Sequence, residues 1–230
     1  MGNLAVNELF QTIQGEGAFT GTPSVFIRLQ GCPVGCAWCD TKHTWDVLPD
    51  NVVESELILL KQQEDPKYFS ANSDQLLNII SQQGYTAKHI VITGGEPCMY
   101  DLTELCEKAE AKGYQIQIET SGTFAIKCSA NTWVTVSPKI NMKGGYEVLT
   151  SAMLRANEIK HPIAMQKHVD ELDQLLQATH TNNQTDKQLT SLIYLQPISQ
   201  QQRATELAID VCIARNWRLS VQVHKYIGVE

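Results

Sequence analysis

The sequence predicts an α/β protein whose parallel sheet bends into a compact, partial (β/α) barrel. Three observations carry this expectation. Apolar, strand-like runs alternate with amphipathic stretches along most of the 230 residues, the pattern of parallel strands joined by right-handed helical crossovers. Polar or Gly-rich clusters follow the strand ends: Gly31-Cys32, Gly94-Gly95-Glu96-Pro97, Thr120-Ser121-Gly122, Ser137-Pro138-Lys139 and Gln196-Pro197. Active sites of α/β folds lie at the carboxyl ends of strands, so clusters gathered around one mouth point to a barrel. There is no internal repeat, low-complexity tract or linker, so residues 1–230 are expected to form one domain.

Taken in order, Ser24 to Leu29 reads as a strand, and a Gly- and Cys-rich loop follows from Gln30 to Thr44. Residues 47–72 are polar and irregular apart from the apolar patch Leu57 to Leu60, and are expected to form a mobile insertion over one end of the fold. Ser73 reads as the N-cap of a helix from Asp74 to Gln83, with Leu76, Leu77, Ile79 and Ile80 at helical spacing and Gly84 as its stop. His89–Thr93 is a short buried strand, and Leu102–Lys112 a helix closed by Gly113. Gln115–Glu119 and Trp133–Val136 read as strands, Val148–Ala156 as a helix, and Asn157–Pro162 as a strand. Val169–Thr179 is helical, with Leu172, Leu175 and Leu176 on one face, and Thr181–Lys187 is a polar loop. Leu192–Gln196 is a strand, Gln201–Arg215 a helix and Leu219–His224 a last strand.

A net charge of −7 argues against a nucleic-acid binder, which normally presents a basic face. The longest apolar run falls short of the roughly 18 residues that a membrane span needs. Met1 to Phe10 lacks the basic-then-apolar pattern of a secretion signal, so the expected compartment is cytoplasmic. Seven cysteines are an odd number, and three of them fall within eight residues, which is no disulfide framework. Cys98, Cys106, Cys128 and Cys212 are scattered and are expected to pack as small apolar residues.

The chemistry concentrates in Cys32-Pro-Val-Gly-Cys36-Ala-Trp-Cys39. Three thiolates on a short loop can bind three corners of an iron–sulfur cubane and leave one iron open for a small molecule. Gly31 and Gly35 permit tight folding around such a cluster, and Trp38 is expected to shield it from water. The same thiols with His43 also satisfy a structural Cys₃His zinc site. The Gly-Gly-Glu-Pro cluster at a distant strand end weighs toward the open cluster, because a structural zinc loop has no use for it.

The cysteine spacing, with an aromatic residue before the third thiol, resembles the radical S-adenosylmethionine (SAM) superfamily signature. Gly94-Gly95-Glu96-Pro97 resembles that superfamily's segment for the SAM amino group. Phe10-Gln-Thr-Ile-Gln-Gly-Glu-Gly17, Phe26-Ile-Arg-Leu-Gln-Gly-Cys32, Cys39-Asp-Thr41, Val91 to Pro97, Glu119-Thr-Ser-Gly122, Ser137-Pro-Lys139 and Gln222-Val-His-Lys225 together resemble the 7-carboxy-7-deazaguanine synthase family. The likeness is greatest to its enterobacterial-type members and covers nearly the whole chain.

This resemblance implies a trimmed radical SAM barrel, usually a homodimer, that turns 6-carboxy-5,6,7,8-tetrahydropterin into 7-carboxy-7-deazaguanine with loss of ammonia, in queuosine precursor biosynthesis. It implies a 4Fe-4S cluster on Cys32, Cys36 and Cys39, SAM on the open iron, and Mg²⁺ on Thr41. It implies hydrogen abstraction from C6 of the pterin, with SAM regenerated after turnover. Ile13, Gln14, Gly15, Glu16, Arg28 and Thr93 take substrate-binding places, and His224 and Glu230 close over the pterin. Gly94, Gly95, Glu96, Glu119, Ser121, Ser137, Pro138, Lys139 and Gln196 take SAM-side places. A flavodoxin-like electron donor is expected, with no nucleic-acid or membrane partner. Two alternatives remain at this level: a radical SAM activase acting on a partner protein, and a non-catalytic zinc-binding interaction protein.

Overall fold

The computed structural model describes residues 2–185, 188–198 and 201–228. Among these residues the chain forms one open sheet of nine strands, in the order β3-β1-β2-β4-β5-β6-β7-β8-β9. The strands are β1 (Leu4–Ile13), β2 (Pro23–Leu29), β3 (Phe69–Ala71), β4 (His89–Gly94), β5 (Gln115–Thr120), β6 (Trp133–Val136), β7 (Glu158–Ile163), β8 (Leu192–Pro197) and β9 (Arg218–Leu219). From β2 onward the neighbours run parallel, and β1 is antiparallel to both β2 and β3. The helices are α1 (Ser55–Leu59), α2 (Ser73–Gln82), α3 (Thr103–Ala111), α4 (Thr150–Arg155), α5 (Gln166–Thr181), α6 (Gln202–Arg215) and α7 (Val223–Ile227).

Strand alternation divides the sheet into a dry face and a wet one. Ile90 and Ile92, Ile116 and Ile118, Val134 and Val136, and Ile159 and Ile163 point into two apolar clusters beneath the helices. The intervening residues, His89, Gln117, Thr135, Glu158 and Lys160, are polar and just as buried, and they line the inside of the curved sheet. The helices cover the dry face with residues spaced for it: Leu76, Leu77 and Ile80 on α2, and Val169 and Leu172 on α5.

The hairpin loop between β1 and β2 folds into the barrel and plugs its amino-terminal end. The Phe19 ring lies 4.4 Å from His89 and 5.1 Å from Trp133, which begin β4 and β6. The Ala18 N–H donates to Glu158, which begins β7, at 2.9 Å.

Several expectations need correction. The ten residues of β1 have no place in the sequence reading, because Asn7, Glu8, Gln11 and Thr12 interrupt its apolar pattern. A register shift between Val6 and Glu8 absorbs Asn7, whose amide donates to Gln30 Oε1 at 2.7 Å and to the carbonyls of Asp65 and Lys67. Residues 47–72 are no irregular insertion. They carry α1 and β3, bury Ile58, Tyr68, Phe69 and Ala71, and are tied down by Lys61 Nζ, which donates to Asn7 Oδ1 at 2.8 Å. The N-cap of α2 is Asn72, in a reciprocal capping box with Gln75, and not Ser73. The last expected strand shortens to Arg218–Leu219 and gives way to α7.

At the top of the sheet the turn after β4 packs directly on the end of β2. Gly95 N–H donates to Leu29 O at 2.9 Å and Glu96 N–H to Gly31 O at 2.7 Å. A Cβ on Gly94 would stand 2.3 Å from the Leu29 backbone at a φ of +128°, and one on Gly95 would stand 2.2 Å from Gly31 O. Gly94→Ala is therefore expected to cost about 2–4 kcal/mol. Gly113→Ala, at φ +82° with open space around it, is expected to cost about 1–2 kcal/mol from conformation alone. Chemical denaturation of both variants checks the contrast, and equal losses would contradict it.

Candidate active site

The carboxyl ends of the strands surround a cavity of about 540 Å³, within the usual range for small-molecule sites. Cys32, Cys36 and Cys39 line it together. The root of their loop is fixed by Gly31 N–H to Thr44 O (2.7 Å) and Cys32 N–H to Trp45 O (2.9 Å). Trp45 folds back so that its indole N–H donates to Cys39 Sγ at 3.4 Å. Burial pushes the Cys32 thiol up to about 11 and raises the Cys36 thiol as well, with Lys139 opposing the rise at Cys36. Free thiolates are therefore disfavoured here, and a bound cationic group is what would stabilise them.

The donor set fits an iron–sulfur cluster better than zinc. Tetrahedral zinc with bonds of about 2.3 Å needs its sulfurs about 3.8 Å apart. Among the described residues no three His, Cys, Asp or Glu side chains are grouped to hold a single metal ion. His43 is absent from the cavity wall and faces Glu8 and Glu64 at 3.4 and 3.5 Å. Three thiols around one cavity with no fourth protein ligand suit a larger cluster with one open corner. Among the described residues all seven cysteines are free, and Cys98, Cys106 and Cys212 are buried in the apolar clusters.

Beside the cysteines, Glu96 is buried and its carboxylate is fully engaged. Oε1 accepts from Cys98 N–H (2.9 Å) and Thr120 Oγ1 (2.6 Å), and Oε2 accepts from Ser121 N–H (2.8 Å) and the Ser121 hydroxyl. Its side chain therefore braces the Thr120–Thr123 turn against the glycine turn. Ser137 Oγ accepts from Lys139 Nζ at 2.8 Å on the same wall.

The opposite wall holds a buried ionic network. Lys160 Nζ donates to Glu16 Oε2 at 2.6 Å and to Glu119 Oε2 at 2.8 Å. Gln222 Nε2 donates to Glu16 Oε1 at 2.8 Å and Gln196 Nε2 does so at 3.4 Å. Burial alone would raise the Glu16 carboxyl, but Lys160, Gln222 and His224 outweigh it and hold the group at about 2. Glu119 shares the same lysine, and burial leaves it raised. Burial would lower Lys160, but its two carboxylates drive it well above the ordinary lysine range. Gln14 braces this network: Nε2 donates to Gln117 and Glu119, and Oε1 accepts Glu16 N–H at 3.2 Å. Its amide is thus already occupied within the protein.

Arg28 pairs with Glu8 directly across the β1–β2 ladder and stays about one-fifth exposed at the cavity edge. The α7 helix docks on the loop through Val223 N–H to Gly15 O at 2.9 Å, which brings His224 to the cavity wall. Burial lowers the pKa of His224.

The cavity therefore gathers Ile13, Gln14, Gly15, Glu16, Arg28, Thr41, Thr93, Gly94, Gly95, Glu96, Glu119, Ser121, Ser137, Lys139, Gln196 and His224 with the cysteines. Pro138 departs: it lines a smaller depression of about 200 Å³ that shares Trp38 and Pro162 with the cavity. Glu230 lies outside the described residues. Trp38 lines the cavity with the cysteines and is 48% exposed, and Trp45 is a second tryptophan on the loop, in contact with Cys39 Sγ. Lys160 escapes the sequence reading, and Gln222, present there within a motif, carries no role in it. The signal for Lys160 was its parity with Glu158 in β7, since side chains two apart share a face.

Comparison with known proteins agrees with this geometry. Residues 26–139 match the Radical SAM superfamily. The chain is 58% identical over 224 residues to the 7-carboxy-7-deazaguanine synthase of Escherichia coli (strain K12), across 97% of this chain and 98% of that one. It is 49% identical over 224 residues to the protein of the same name from Buchnera aphidicola subsp. Schizaphis graminum, across 97% and 98%. The crystal structure of QueE from Escherichia coli superposes with a TM-score of 0.91 at 57% identity, covering 96% of this chain and 95% of that one.

The network makes a sharp prediction. Lys160→Met leaves two buried carboxylates unpaired and is expected to cost about 3–5 kcal/mol. Those carboxyls then titrate above their unfolded values, so the folded variant binds more protons and the loss is larger at pH 8 than at pH 5. Thermal melts across that range check it, and a loss independent of pH would contradict it.

Proposed function

Because the chain belongs to the 7-carboxy-7-deazaguanine synthases, within the radical SAM superfamily, we propose that it converts 6-carboxy-5,6,7,8-tetrahydropterin to 7-carboxy-7-deazaguanine with loss of ammonia. The product feeds queuosine biosynthesis. One observation carries this reading: the three cysteines, the Gly94-Gly95 turn and the Gln14–Glu16 loop with Arg28 converge on a single cavity.

In this reading Cys32, Cys36 and Cys39 hold a 4Fe-4S cluster, and SAM lies along Gly94-Gly95, Ser121, Ser137, Lys139 and Gln196. When bound, this pair supplies a carbon-centred radical that can take a hydrogen atom from the pterin. The protein's own part is positioning. Glu8 fixes Arg28 by its Nε, which leaves the forked terminal N–H groups to grip the substrate carboxylate. Glu16, kept ionised by Lys160, has acceptor capacity for the pterin amino group, and Gln14 keeps Glu16 in place. Thr93 and His224 bound the pterin from two sides. Thr41 would offer Mg²⁺ a hydroxyl oxygen beside Asp40, a donor type that suits a hard cation.

The reading extends to a homodimer, a cytoplasmic setting and a flavodoxin-like donor. Free thiols throughout support a reducing compartment. Half-exposed Trp38, next to Cys39, and Lys143, packed on Gly35, support the approach of an acidic donor near the cluster loop. Exposed Ile209 and Ile213 on α6 support burial against a second copy. Among the described residues no helix is long and apolar enough to cross a membrane.

Anaerobically reconstituted protein with SAM, Mg²⁺, reductant and the carboxytetrahydropterin is expected to release ammonia and 7-carboxy-7-deazaguanine. SAM cleavage without a pterin-derived product would contradict the reading. Arg28→Lys is expected to weaken pterin binding about tenfold, by loss of the bidentate pair, while iron content stays at the wild-type level. Wild-type affinity in that variant would remove Arg28 from the site.

A further inference from the structure

Glu158 has no part in the site as described, yet it is completely buried at the amino end of β7. Its Oε2 accepts the Ala18 N–H at 2.9 Å. Its Oε1 has no hydrogen-bond partner among the described residues. A Cβ on Gly17, at φ +67°, would stand 2.1 Å from that oxygen. The Gly17-Ala18 turn is therefore moulded directly onto this carboxyl group. From there the loop runs back through Gly17, whose N–H donates to Ser220 Oγ at 3.0 Å, to Glu16 and Gln14 on the cavity wall.

A buried oxygen without a partner is costly, and packing alone would favour an apolar residue at this position. We propose that Glu158 is a positioning residue that latches the Gln14–Phe19 loop in its substrate-binding shape. This rests on the reading of that loop as the pterin contact.

The groups around Glu158 make the latch sensitive to pH. Burial pushes its carboxyl up to about 7 and Glu119 of β5 adds to the rise, while Lys160 of β7, the Ala18 N–H and the Trp133 indole of β6 oppose it. Trp133 Nε1 itself lacks a hydrogen-bond partner among the described residues. Arg218 of β9 faces Glu158 from further off, with its guanidinium on the Tyr194 hydroxyl of β8. Glu16 faces it only through Lys160. The docked loop supplies burial, the largest cause of the rise, as well as the Ala18 N–H, a smaller opposing one, so undocking lowers the pKa on balance. By linkage the docked loop favours the neutral acid, and ionisation above neutrality favours release.

The test uses reconstituted holoenzyme and measures equilibrium binding of the carboxytetrahydropterin and of SAM between pH 6 and 8. Wild-type pterin affinity is expected to fall several-fold across that range. Glu158→Gln keeps an acceptor for Ala18 and is expected to hold its affinity at pH 8. Glu158→Ala is expected to bind the pterin about tenfold more weakly at pH 6, the worth of one such hydrogen bond, with SAM affinity unchanged. Wild-type pH dependence in Glu158→Gln, or wild-type pterin affinity in Glu158→Ala, would overturn the latch. If Glu158→Ala does not fold, Glu158→Gln decides alone. Thermal melts read the latch without substrate: a folded pKa above the unfolded one means that Glu158 itself takes stability away from pH 5 to 8, against the rise that buried His161 gives, so Glu158→Gln should gain stability relative to wild type across that range. A wild type that binds SAM but no pterin would sink the substrate reading, while the melts still support or overturn the latch.

Discussion

The site depends on one backbone contact, the seating of the Gly94-Gly95-Glu96 turn on the end of β2. Two hydrogen bonds, to Leu29 O and Gly31 O, bind the turn after β4 to the root of the cysteine loop. No side chain fits between them, because a Cβ at either glycine would overlap the opposing backbone. The contact sets where Cys32 emerges relative to β4, and it delivers Glu96 to the position from which it braces Thr120 and Ser121 at the end of β5. Three strand ends are thereby fixed relative to one another before any ligand binds. Such preorganisation suits chemistry that must present a reactive centre to one atom of a substrate.

The second constraint is the polar lining of the sheet's inner face. The residues that would fill a small barrel with hydrocarbon are here Gln117, Glu119, Thr135, Glu158 and Lys160. Gln117, Glu119, Thr135 and Lys160 are tolerated because they bond to one another, and the β1–β2 loop enters from below to add Glu16 and the Ala18 N–H. Lys160 neutralises Glu16 and Glu119, Gln117 joins Glu119 to Thr135 and His89, and Phe19 seals the bottom. A connected network of this kind fixes side-chain directions, whereas a broken one is costly. The loop is thus both the closure of the fold and a wall of the cavity.

Much of this was legible in the sequence because its signals are local. The parallel strands from β2 to β8 announce themselves by short apolar runs bounded by polar strand ends, and those ends do gather around one cavity. The cysteine spacing and the glycine turn carry their chemistry in a few adjacent residues. What escaped depends on distant partners. β1 carries Asn7 and Glu8 because a bulge, Gln30 and Arg28 receive them, which no periodicity reveals. Phe69–Ala71 reads as part of a polar stretch until the edge of β1 pairs with it. Lys160 looks like an unremarkable strand lysine until Glu16, 144 positions away, meets it. Gln14 and Glu96 were read as ligand contacts from their motifs; both line the cavity, and the hydrogen bonds that hold their side chains come from residues far along the chain, which the motifs do not show.

On the proposed reading these features make one device: a rigid top to present a cluster-bound cosubstrate, and a loop-built floor to present the pterin. The most direct measurement follows one hydrogen. Reconstituted, reduced protein is given unlabelled SAM and the carboxytetrahydropterin with deuterium at C6. The account predicts that deuterium appears at the 5′ carbon of SAM or of 5′-deoxyadenosine as 7-carboxy-7-deazaguanine forms. Product formation with no deuterium transferred, or 5′-deoxyadenosine formed with solvent hydrogen alone, would contradict the claim that this cavity sets the two molecules face to face.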